Sequence, residues 1–466
     1  MLCQIFCKVI INAKLNQIKL KIVINIMNNI VKKIDENRYV IHWFRRDLRL
    51  EDNVALHFAL KSGLIVIPLF IFDTDIINKL SYKKDARVSF IYQQLKRINQ
   101  ELNKLHHSCL IVLKGKPIEI FEQLINKYNI EAVYTNNDYE PYAIKRDKYV
   151  ELFLINQGIE FKSYKDQVIF ERNDIIKLDG NPYTIFTPYK NKWFEKFSVS
   201  NLQNYSTSTF KDSFLKIDNP NIPSLKELGF EENTIDFPTI IEDTDIIKAY
   251  KTTRDYPSID TTRIGIHLRF GTISIRKIIS LAFNNSDVWL SELIWREFFM
   301  QILYHFPFVE NSSFKSKYNN IEWRNNEKEF DLWCQGKTGY PLVDAGMREL
   351  NATGFMHNRV RMITANFLCK HLLIDWRWGE AYFAEKLLDY ELASNNGNWQ
   401  WAAGTGCDAA PYFRIFNPTI QLSKFDKENI YIRKWLDEKD LNDTNPIVEH
   451  RFATERCLKA YKKALE

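Results

Sequence analysis

The sequence lacks three features that would each have indicated a class of protein. No two cysteines stand in a CxxC spacing, and the seven cysteines are scattered, which argues against a structural zinc site or a disulfide framework and favours a reducing compartment. No apolar run approaches the roughly 20 residues of a membrane-spanning helix. No GxGxxG motif follows the first predicted strand, so a dinucleotide bound in that manner is not indicated. We therefore expect a cytoplasmic protein without a metal site or a membrane anchor.

Residues 1–37 differ in composition from the rest of the chain. They are apolar but interrupted by lysine every few residues, and they contain no arginine. Without arginine they do not resemble a transit peptide, and without a small-residue cleavage site they do not resemble a signal peptide. We expect this extension to be disordered or to follow a mis-assigned start codon, with Met27 as the alternative initiator.

Length and composition predict a globular protein of more than one domain. The chain has 466 residues, whereas single hydrophobic cores stop growing at roughly 250–300 residues. Hydrophobic residues make up 45% and charged residues 26%, which is ordinary. The formal charge of +6 is mild, yet it is compatible with a basic patch for an anionic partner.

Residues 38–170 alternate between short apolar runs and helical patterns. The runs predict strands at Tyr39–Phe44, Leu64–Phe72, Ser108–Leu113 and Ala132–Thr135. The helical patterns predict helices at Asn53–Lys61, Asp85–Leu105, Pro117–Tyr128 and Tyr142–Asn156. Such alternation is typical of a doubly wound parallel sheet, so we predict an α/β N-terminal domain.

The remainder of the chain divides into two further parts. Residues 171–242 are polar, rich in proline and weakly periodic, which predicts a long inter-domain linker that crosses the surface. Residues 243–466 carry helical patterns throughout, which predicts an all-α C-terminal domain.

The segment 395–418 holds two Trp, a Tyr and two Phe among small residues and side-chain amides. It shows neither the helical period nor the alternation of a strand, so we predict an irregular segment. Aromatic rings and amides around small residues suit a planar heterocycle with polar edges, such as a flavin or a nucleobase. An aromatic-rich core loop is the alternative.

Three other patterns are candidate binding features. Thr261–Leu268 precedes a helical stretch and could form an anion site, although Ser or Thr before a helix is usually only an N-cap. Trp289, Glu292 and Arg296 share one helical stripe, which could grip a base or could be a structural ion pair beside a core Trp. The third pattern is a helical face that carries Asn358, Arg361 and Met362, with Asp389 and Glu391 as candidate acidic partners.

Four motifs together carry a family resemblance. They are WFRRDLRLEDN at Trp43–Asn53, GKTGYPLVDAGMREL at Gly336–Leu350, TGFMHNRVRM at Thr353–Met362 and the long run at Asp389–Pro418. The chain closely resembles the cryptochrome/photolyase family in these motifs, and the match extends from Tyr39 to Leu465. The points below are what that resemblance implies.

The resemblance implies FAD bound in the helical domain. Tyr250, Thr261, Thr262 and Gly265 would hold the diphosphate, and Trp289, Glu292 and Arg296 would line the pocket, while Arg361 and Asp389 would pair beside the isoalloxazine. The cofactor-binding set therefore comprises Tyr250, Thr261, Thr262, Gly265, Trp289, Glu292, Arg296, Arg361, Asp389, Glu391 and Asn395.

The catalytic set implied by the resemblance contains Trp323, Trp376, Trp399, Asn395 and Glu292. The three tryptophans match the family's chain that carries electrons from the surface to the flavin. Asn395 would face flavin N5, where an uncharged amide is compatible with an anionic reduced flavin and a carboxylate would destabilise it.

The substrate implied by the resemblance is DNA that contains cyclobutane pyrimidine dimers. Asn358 with Met362 is similar to the class I enzymes for these dimers, whereas (6-4) enzymes carry His at the Asn position. The substrate-binding set comprises Arg254, Glu292, Trp295, Asn358, Arg359, Met362 and Trp401.

The sequence departs from the family pattern at three places. Gly265 stands where many relatives have Ser, and Phe355 replaces a common Trp. Tyr142-Ala143 stands where members with a folate antenna carry Asn-Glu. A folate antenna is therefore not expected, and a deazaflavin or flavin antenna, or none, is left open.

The sequence thus predicts a monomeric, light-driven DNA repair enzyme, associated with the nucleoid if the source is bacterial. The alternative is a blue-light photoreceptor of cryptochrome type without repair activity. The long C-terminal extension that usually marks such photoreceptors does not follow the last predicted helix.

Overall fold

The computed structural model describes residues 37–210, 213–216, 222–240, 242–442 and 445–466. The predicted extension, residues 1–37, lies outside these ranges apart from its last residue. In the described ranges no helix is long and apolar enough to cross a membrane, and no three His, Cys, Asp or Glu side chains are placed to hold a metal ion.

A five-stranded parallel sheet forms the centre of the first domain. Its strands are β1 Tyr39–Phe44, β2 Ile65–Asp73, β3 Ile111–Gly115, β4 Ile130–Asn136 and β5 Glu160–Tyr164. They lie in the order β3-β2-β1-β4-β5, with Tyr39 of β1 in register with Ile65 of β2. The predicted doubly wound α/β fold and its four strands are confirmed.

The fifth strand, β5, was not predicted. Its sequence EFKSY has no continuous apolar run, and none of its residues is fully buried. As an edge strand it pairs with β4 alone, so burial imposes little pattern on it.

Three helices of the first domain begin at residues that suit a helix start. Asn53 and Asp85 accept hydrogen bonds from backbone N–H groups in the first turns of two helices of the first domain, and Pro117 opens a third. The helices around the sheet are α1 Val54–Lys61, α2 Thr74–Ile77, α3 Ala86–His106, α4 Pro117–Lys127 and α5 Pro141–Asn156.

In the described ranges, the regular elements after β5 are helices, with short 3₁₀ turns and one π-helical turn at Phe367–His371. The predicted all-α domain is therefore confirmed. Its helices and those that precede it are α6 Phe186–Lys196, α7 Leu225–Leu228, α8 Thr244–Thr253, α9 Gly265–Phe270, α10 Ile275–Asn285, α11 Asp287–His305, α12 Glu327–Cys334, α13 Pro341–Thr353, α14 Asn358–Asn366, α15 Trp376–Lys386, α16 Leu392–Ala403, α17 Pro418–Phe425, α18 Ile430–Trp435, α19 Glu438–Asn442 and α20 His450–Leu465.

The prediction of an irregular segment over 395–418 is wrong for its first third. Helix α16 covers Leu392–Ala403, and it ends at Gly404, whose φ of 83° is left-handed. Its buried face consists of alanines, side-chain amides and one indole, including Asn395, Asn396 and Trp399. A search for a helical period in large aliphatic residues misses such a face, because it contains none.

The predicted linker contains a helix that packs into the helical domain. Phe186, Tyr189 and Trp193 of α6 are buried in the cluster of apolar residues that also contains Leu290 and Phe298 of α11. The two domains also meet through β1 and its loop, where the N–H of Leu48 donates to the carbonyl of Phe270.

Candidate functional site

Two adjoining cavities lie in the helical domain. The Asp389 cavity has a volume of about 880 Å³, open solvent at its mouth included, and is lined by Gly265, Arg361, Asp389, Asn395 and Trp399 among others. The Glu292 cavity has a volume of about 1040 Å³ on the same basis and is lined by Tyr250, Arg254, Asp255, Glu292 and Trp295 among others. The residues that line both are Arg296, Asn358, Met362, Ser394, Asn398 and Trp401. A ligand in one cavity would therefore lie against a ligand in the other.

Arg361 and Asp389 form a two-pronged ion pair on the wall of the Asp389 cavity. Arg361 Nη1 and Nη2 donate to the two oxygens of Asp389 at 3.1 and 3.0 Å. Arg361 Nε donates to the carbonyl of Met356 at 2.7 Å, which fixes the plane of the guanidinium. The pairing predicted from the resemblance is thus present.

Glu391, buried to 4% exposure, ties the cavity to the first domain. It accepts hydrogen bonds from Arg46 of the loop after β1 and from Arg296 of α11. Burial acts to raise the pKa of Glu391, but attraction to Arg296, Arg46 and Arg269 outweighs it and lowers the pKa. Glu391 is therefore ionised, and it holds positive charge at the cavity.

Asn395 is oriented by Glu380 of α15. Asn395 Nδ2 donates to the backbone carbonyl of Glu380 at 3.1 Å and to its Oε1 at 2.8 Å. Both amide protons are thereby directed away from the cavity, and Oδ1 is left as the acceptor. Burial raises the pKa of Glu380, and the bond from Asn395 opposes that rise.

The backbone of Gly265 packs so closely against Asp389 that there is no space for a Cβ atom. A Cβ at Gly265 would stand 2.6 Å from Asp389 Oδ2 and 3.0 Å from its Cβ. Ordinary van der Waals contact begins at about 3.4 Å, so Ser at this position would require Asp389 to move. The departure from the family pattern at Gly265 is thus matched to the position of Asp389.

The other predicted diphosphate and pocket residues are dispersed. Tyr250 lines the Glu292 cavity, and Thr261 lines a separate small cavity beside Arg263. Thr262 is buried at 5% exposure, and Trp289 at 4% packs in the apolar cluster of α11. Their assignment to the cofactor stays a prediction.

Two partly exposed ion pairs line the Glu292 cavity. Arg254 Nη1 donates to Glu292 Oε1 at 2.6 Å, and Arg359 pairs with Asp255. Burial raises the pKa of Glu292, and Arg254 opposes the rise.

The apolar part of the shared boundary comes from α14 and α16. Asn358 and Met362 are one helical turn apart, with Nδ2 and Sδ 3.9 Å from each other. Together with the indoles of Trp295 and Trp401 they make a surface on which flat rings can stack.

The three predicted redox tryptophans range from buried to partly exposed. Trp399 and Trp376 are 2% and 1% exposed in one apolar cluster, and Trp323 packs against that cluster while reaching solvent. A Cβ at Gly379 of α15 would lie 2.1 Å from the ring of Trp399, so this indole rests on the backbone of the helix that Trp376 begins. The hydrogen bond from Arg324 N to Leu373 O joins the Trp323 segment to the one before Trp376.

Four site residues were not identified from the sequence. Glu380 orients Asn395, Arg46 and Arg269 surround Glu391, and Trp333 makes an edge-to-face contact with Trp399 at 6.2 Å. Arg46 had one available signal, its place in the WFRRDLRLEDN run. The other three stand in ordinary helical patterns that single out no residue.

A parallel-sheet domain packed on a helical domain with a cationic, amide-lined cavity defines a cofactor-binding protein of two domains. Residues 40–207 match the family model described as DNA photolyase, and residues 289–455 match the FAD binding domain of DNA photolyase. The deoxyribodipyrimidine photo-lyase of Vibrio cholerae is 36% identical over 431 residues, which cover 85% of this chain and 89% of that protein.

Three solved structures share the fold. A bacterial class III photolyase from Agrobacterium tumefaciens has a TM-score of 0.81 at 31% identity, covering 92% of this chain and 98% of that one. An archaeal photolyase from Sulfolobus tokodaii with two FAD molecules has a TM-score of 0.80 at 35% identity, covering 91% of this chain and 100% of that one. A Synechocystis cryptochrome has a TM-score of 0.79 at 26% identity, covering 91% of this chain and 99% of that one.

The chain belongs to the photolyase/cryptochrome family, and its cofactor is FAD. The predicted family, the photolyase class of enzyme and the FAD cofactor are confirmed. The Asp389 cavity fits the cofactor, because guanidinium groups stand beside it for an anionic flavin and Asn395 Oδ1 is left as a neutral acceptor.

Proposed function

We propose that the protein repairs cyclobutane pyrimidine dimers in DNA in a light-driven reaction that uses reduced FAD. The observation that carries this proposal is the shared boundary of the two cavities, which brings a ligand of the Glu292 cavity into contact with one of the Asp389 cavity. Electron transfer slows steeply with distance, so two groups bound in contact exchange an electron readily. Bound, reduced FAD supplies an electron on excitation and takes it back when the dimer has split.

The residues of the Asp389 cavity maintain the charge state of the cofactor. Arg361, held by Asp389 and by the carbonyl of Met356, places positive charge at the cavity wall. Asn395, fixed by Glu380, presents Oδ1 to an N–H donor such as that of a reduced flavin. Neither group transfers a proton in this scheme.

The residues of the Glu292 cavity bind and orient the lesion. Photolyases are an established example of enzymes that flip their target base out of the duplex, and a dimer stacks poorly, which lowers the free energy of extrusion. Trp295 and Trp401 offer flat apolar surfaces to its rings, while Glu292, Arg254 and Asn358 offer polar groups to its edges.

Trp399, Trp376 and Trp323 supply electrons to an oxidised cofactor. Their succession from buried to partly exposed positions supports this role, because an indole is oxidised far more readily than a phenyl ring. The role concerns activation of the cofactor and is separate from repair by a cofactor that is already reduced.

The specificity for cyclobutane dimers is supported by Asn358 and Met362, whose contact forms part of the shared boundary. The likeness to a class III photolyase leaves the subclass open, so the class I assignment is part of the proposal. We also propose a monomer in the cytoplasm, near the nucleoid in a bacterium, with a flavin-type or deazaflavin antenna in place of folate. The two FAD molecules of the archaeal relative support the flavin option.

One experiment tests the activity. Purified protein with bound, chemically reduced FAD is irradiated with blue light together with dimer-containing DNA, and restored thymines are counted. We expect restoration only in the light and only with reduced cofactor. Absence of restoration would reject the repair function and favour the photoreceptor alternative. The similarity to a cryptochrome supports that alternative.

A further inference from the structure

Phe186 supports Trp295 from behind the wall of the Glu292 cavity. The two rings are stacked, with centroids 3.7 Å apart and planes 9° from parallel. Phe186 is 6% exposed and does not line the cavity, whereas Trp295 does. One face of the indole is therefore covered, and only its remaining surface is available to a ligand.

The backbone of Phe186 is hydrogen-bonded to the segment that follows helix α16. Phe186 is the first residue of α6, and its N–H donates to Asp408 Oδ2 at 3.0 Å. Asp408 lies in the irregular stretch after α16, the helix that carries Trp401. Through its ring and its backbone, Phe186 thus connects Trp295 of α11 with the stretch that follows the helix of Trp401.

Helix α6 is also attached to α11, the helix that carries Trp295. Tyr189 Oη and Trp193 Nε1 of α6 both donate to Glu297 Oε1, at 3.2 and 2.8 Å. Glu297 stands two residues after Trp295 on α11 and is 4% exposed. Because these bonds are buried, Phe186 is not free to follow a tilt of the indole.

We infer that Phe186 is a positioning residue that sets the tilt of Trp295 and its spacing from Trp401, and so selects lesions by the width between the two indoles. The inference rests on the proposed function, since it assigns the Glu292 cavity to a stacked pair of pyrimidines. Close packing against Phe186 prevents the indole from tilting away from the cavity while that ring is in place. Removing the ring opens space into which Trp295 tilts.

The test compares Phe186→Leu with Phe186→Tyr as the matched control. Leucine keeps an apolar side chain but removes the flat face, whereas tyrosine keeps the ring. The protein is labelled with 5-fluorotryptophan, and the Trp295 signal is assigned from its loss in Trp295→Phe. Without DNA, we expect this ¹⁹F signal to shift and broaden in the leucine variant and to stay close to wild type in the tyrosine variant.

The same proteins are titrated with dimer-containing and undamaged DNA of one sequence. We expect Phe186→Leu to weaken binding of the dimer about three- to tenfold, the effect of one aromatic pair, with binding of undamaged DNA unchanged. FAD content and the melting temperature are measured on each sample. Asp408→Ala, which leaves both rings intact, should give the same change in smaller degree and replaces the leucine variant if that one does not fold.

The two hypotheses fail in different ways. An unaltered Trp295 signal with unaltered dimer affinity in Phe186→Leu overturns the positioning role. A shifted signal with unchanged dimer affinity overturns the selection of lesions by width. If the wild-type protein does not distinguish dimer-containing DNA, the proposed function fails, and the selection role fails with it.

Discussion

The Asp389 cavity and the Glu292 cavity share a boundary but hold their charges differently. In the first, Glu391 is 4% exposed and bonded to two arginines, and Arg361 grips both oxygens of Asp389. In the second, Arg254 and Glu292 share a single bond, and their side chains are 39% and 36% exposed. Buried, multiply bonded groups are preorganised, whereas half-exposed pairs exchange partners at small free-energy cost. The difference suits a cofactor that stays and a substrate that comes and goes.

The largest effect that would distinguish the two cavities is expected for the supply of electrons to the Asp389 cavity. Replacing Trp376 by Phe should reduce light-driven reduction of bound FAD to below detection, because a phenyl ring is not oxidised at the potential available. Trp333→Phe is the matched control, since Trp333 also packs near Trp399 but lies outside the proposed route. Absorbance of oxidised FAD under blue light follows the reaction. Equal slowing in both variants would contradict the assigned route.

The second test removes the ion pair of the Asp389 cavity. Arg361→Leu leaves Asp389 without its partner, which should weaken retention of FAD by about 2–3 kcal/mol, whereas Arg361→Lys keeps the charge and should lose less. The ratio of FAD to protein after gel filtration measures the effect. Arg254→Leu, which changes only the Glu292 cavity, should keep its FAD. Flavin loss in that control would show that the cavities are not independent.

The third test addresses the wall of the Glu292 cavity. Trp295→Leu should weaken binding of dimer-containing DNA by about 1–3 kcal/mol, the range for one base stacked on an aromatic ring. FAD content and photoreduction should stay at the wild-type level, because Trp295 does not line the Asp389 cavity. Binding is followed by fluorescence anisotropy of labelled DNA. Unchanged affinity would remove Trp295 from the substrate set.

The smallest effect is expected for the stability of the fold when the pH is lowered. Burial, with Arg361 and Arg359 nearby, lowers the pKa of His357 to about 4, while Asp255 opposes the shift. The unfolded chain therefore takes up this proton first, and the contribution to stability is lost as the pH falls from about 6.5 towards 4. At pH 5.5 the loss is about 1 kcal/mol.

His357→Asn is the variant for this test, because it keeps an acceptor for the N–H of Arg359 at the start of α14. Its melting temperature should fall less than that of wild type between pH 7 and 5.5. Parallel curves would show that His357 is not held neutral in the folded state.

The first domain could be predicted from the sequence because most of its strands and helices have a regular pattern. The predicted Tyr39–Phe44 coincides with β1, and the four predicted helices differ from the observed ones by one residue at most at either end. Buried parallel strands consist of continuous Val and Ile runs, and the helices between them have one apolar face. The edge strand β5, which has no such run, and the single turn of α2 were not predicted.

The candidate site could be predicted in part. The helical spacing gave the face with Arg361 and its candidate partner Asp389, and the resemblance placed that pair beside the flavin. The helical nature of α16 did not follow from its period. Glu380 could not be found, because its role depends on the packing of α15 against α16, which brings together residues that single-element patterns do not relate. Phe186 was missed for the same reason.

The bond between Arg46 and Glu391 has a consequence for the genetics of this protein. A residue of the sheet domain thus holds Glu391 of the Asp389 cavity, although the matched FAD binding domain begins only at residue 289. Mutations in the loop after β1 should therefore lower the FAD content of the protein, while the sheet itself stays folded. A mutational survey confined to the second half of the gene would miss them.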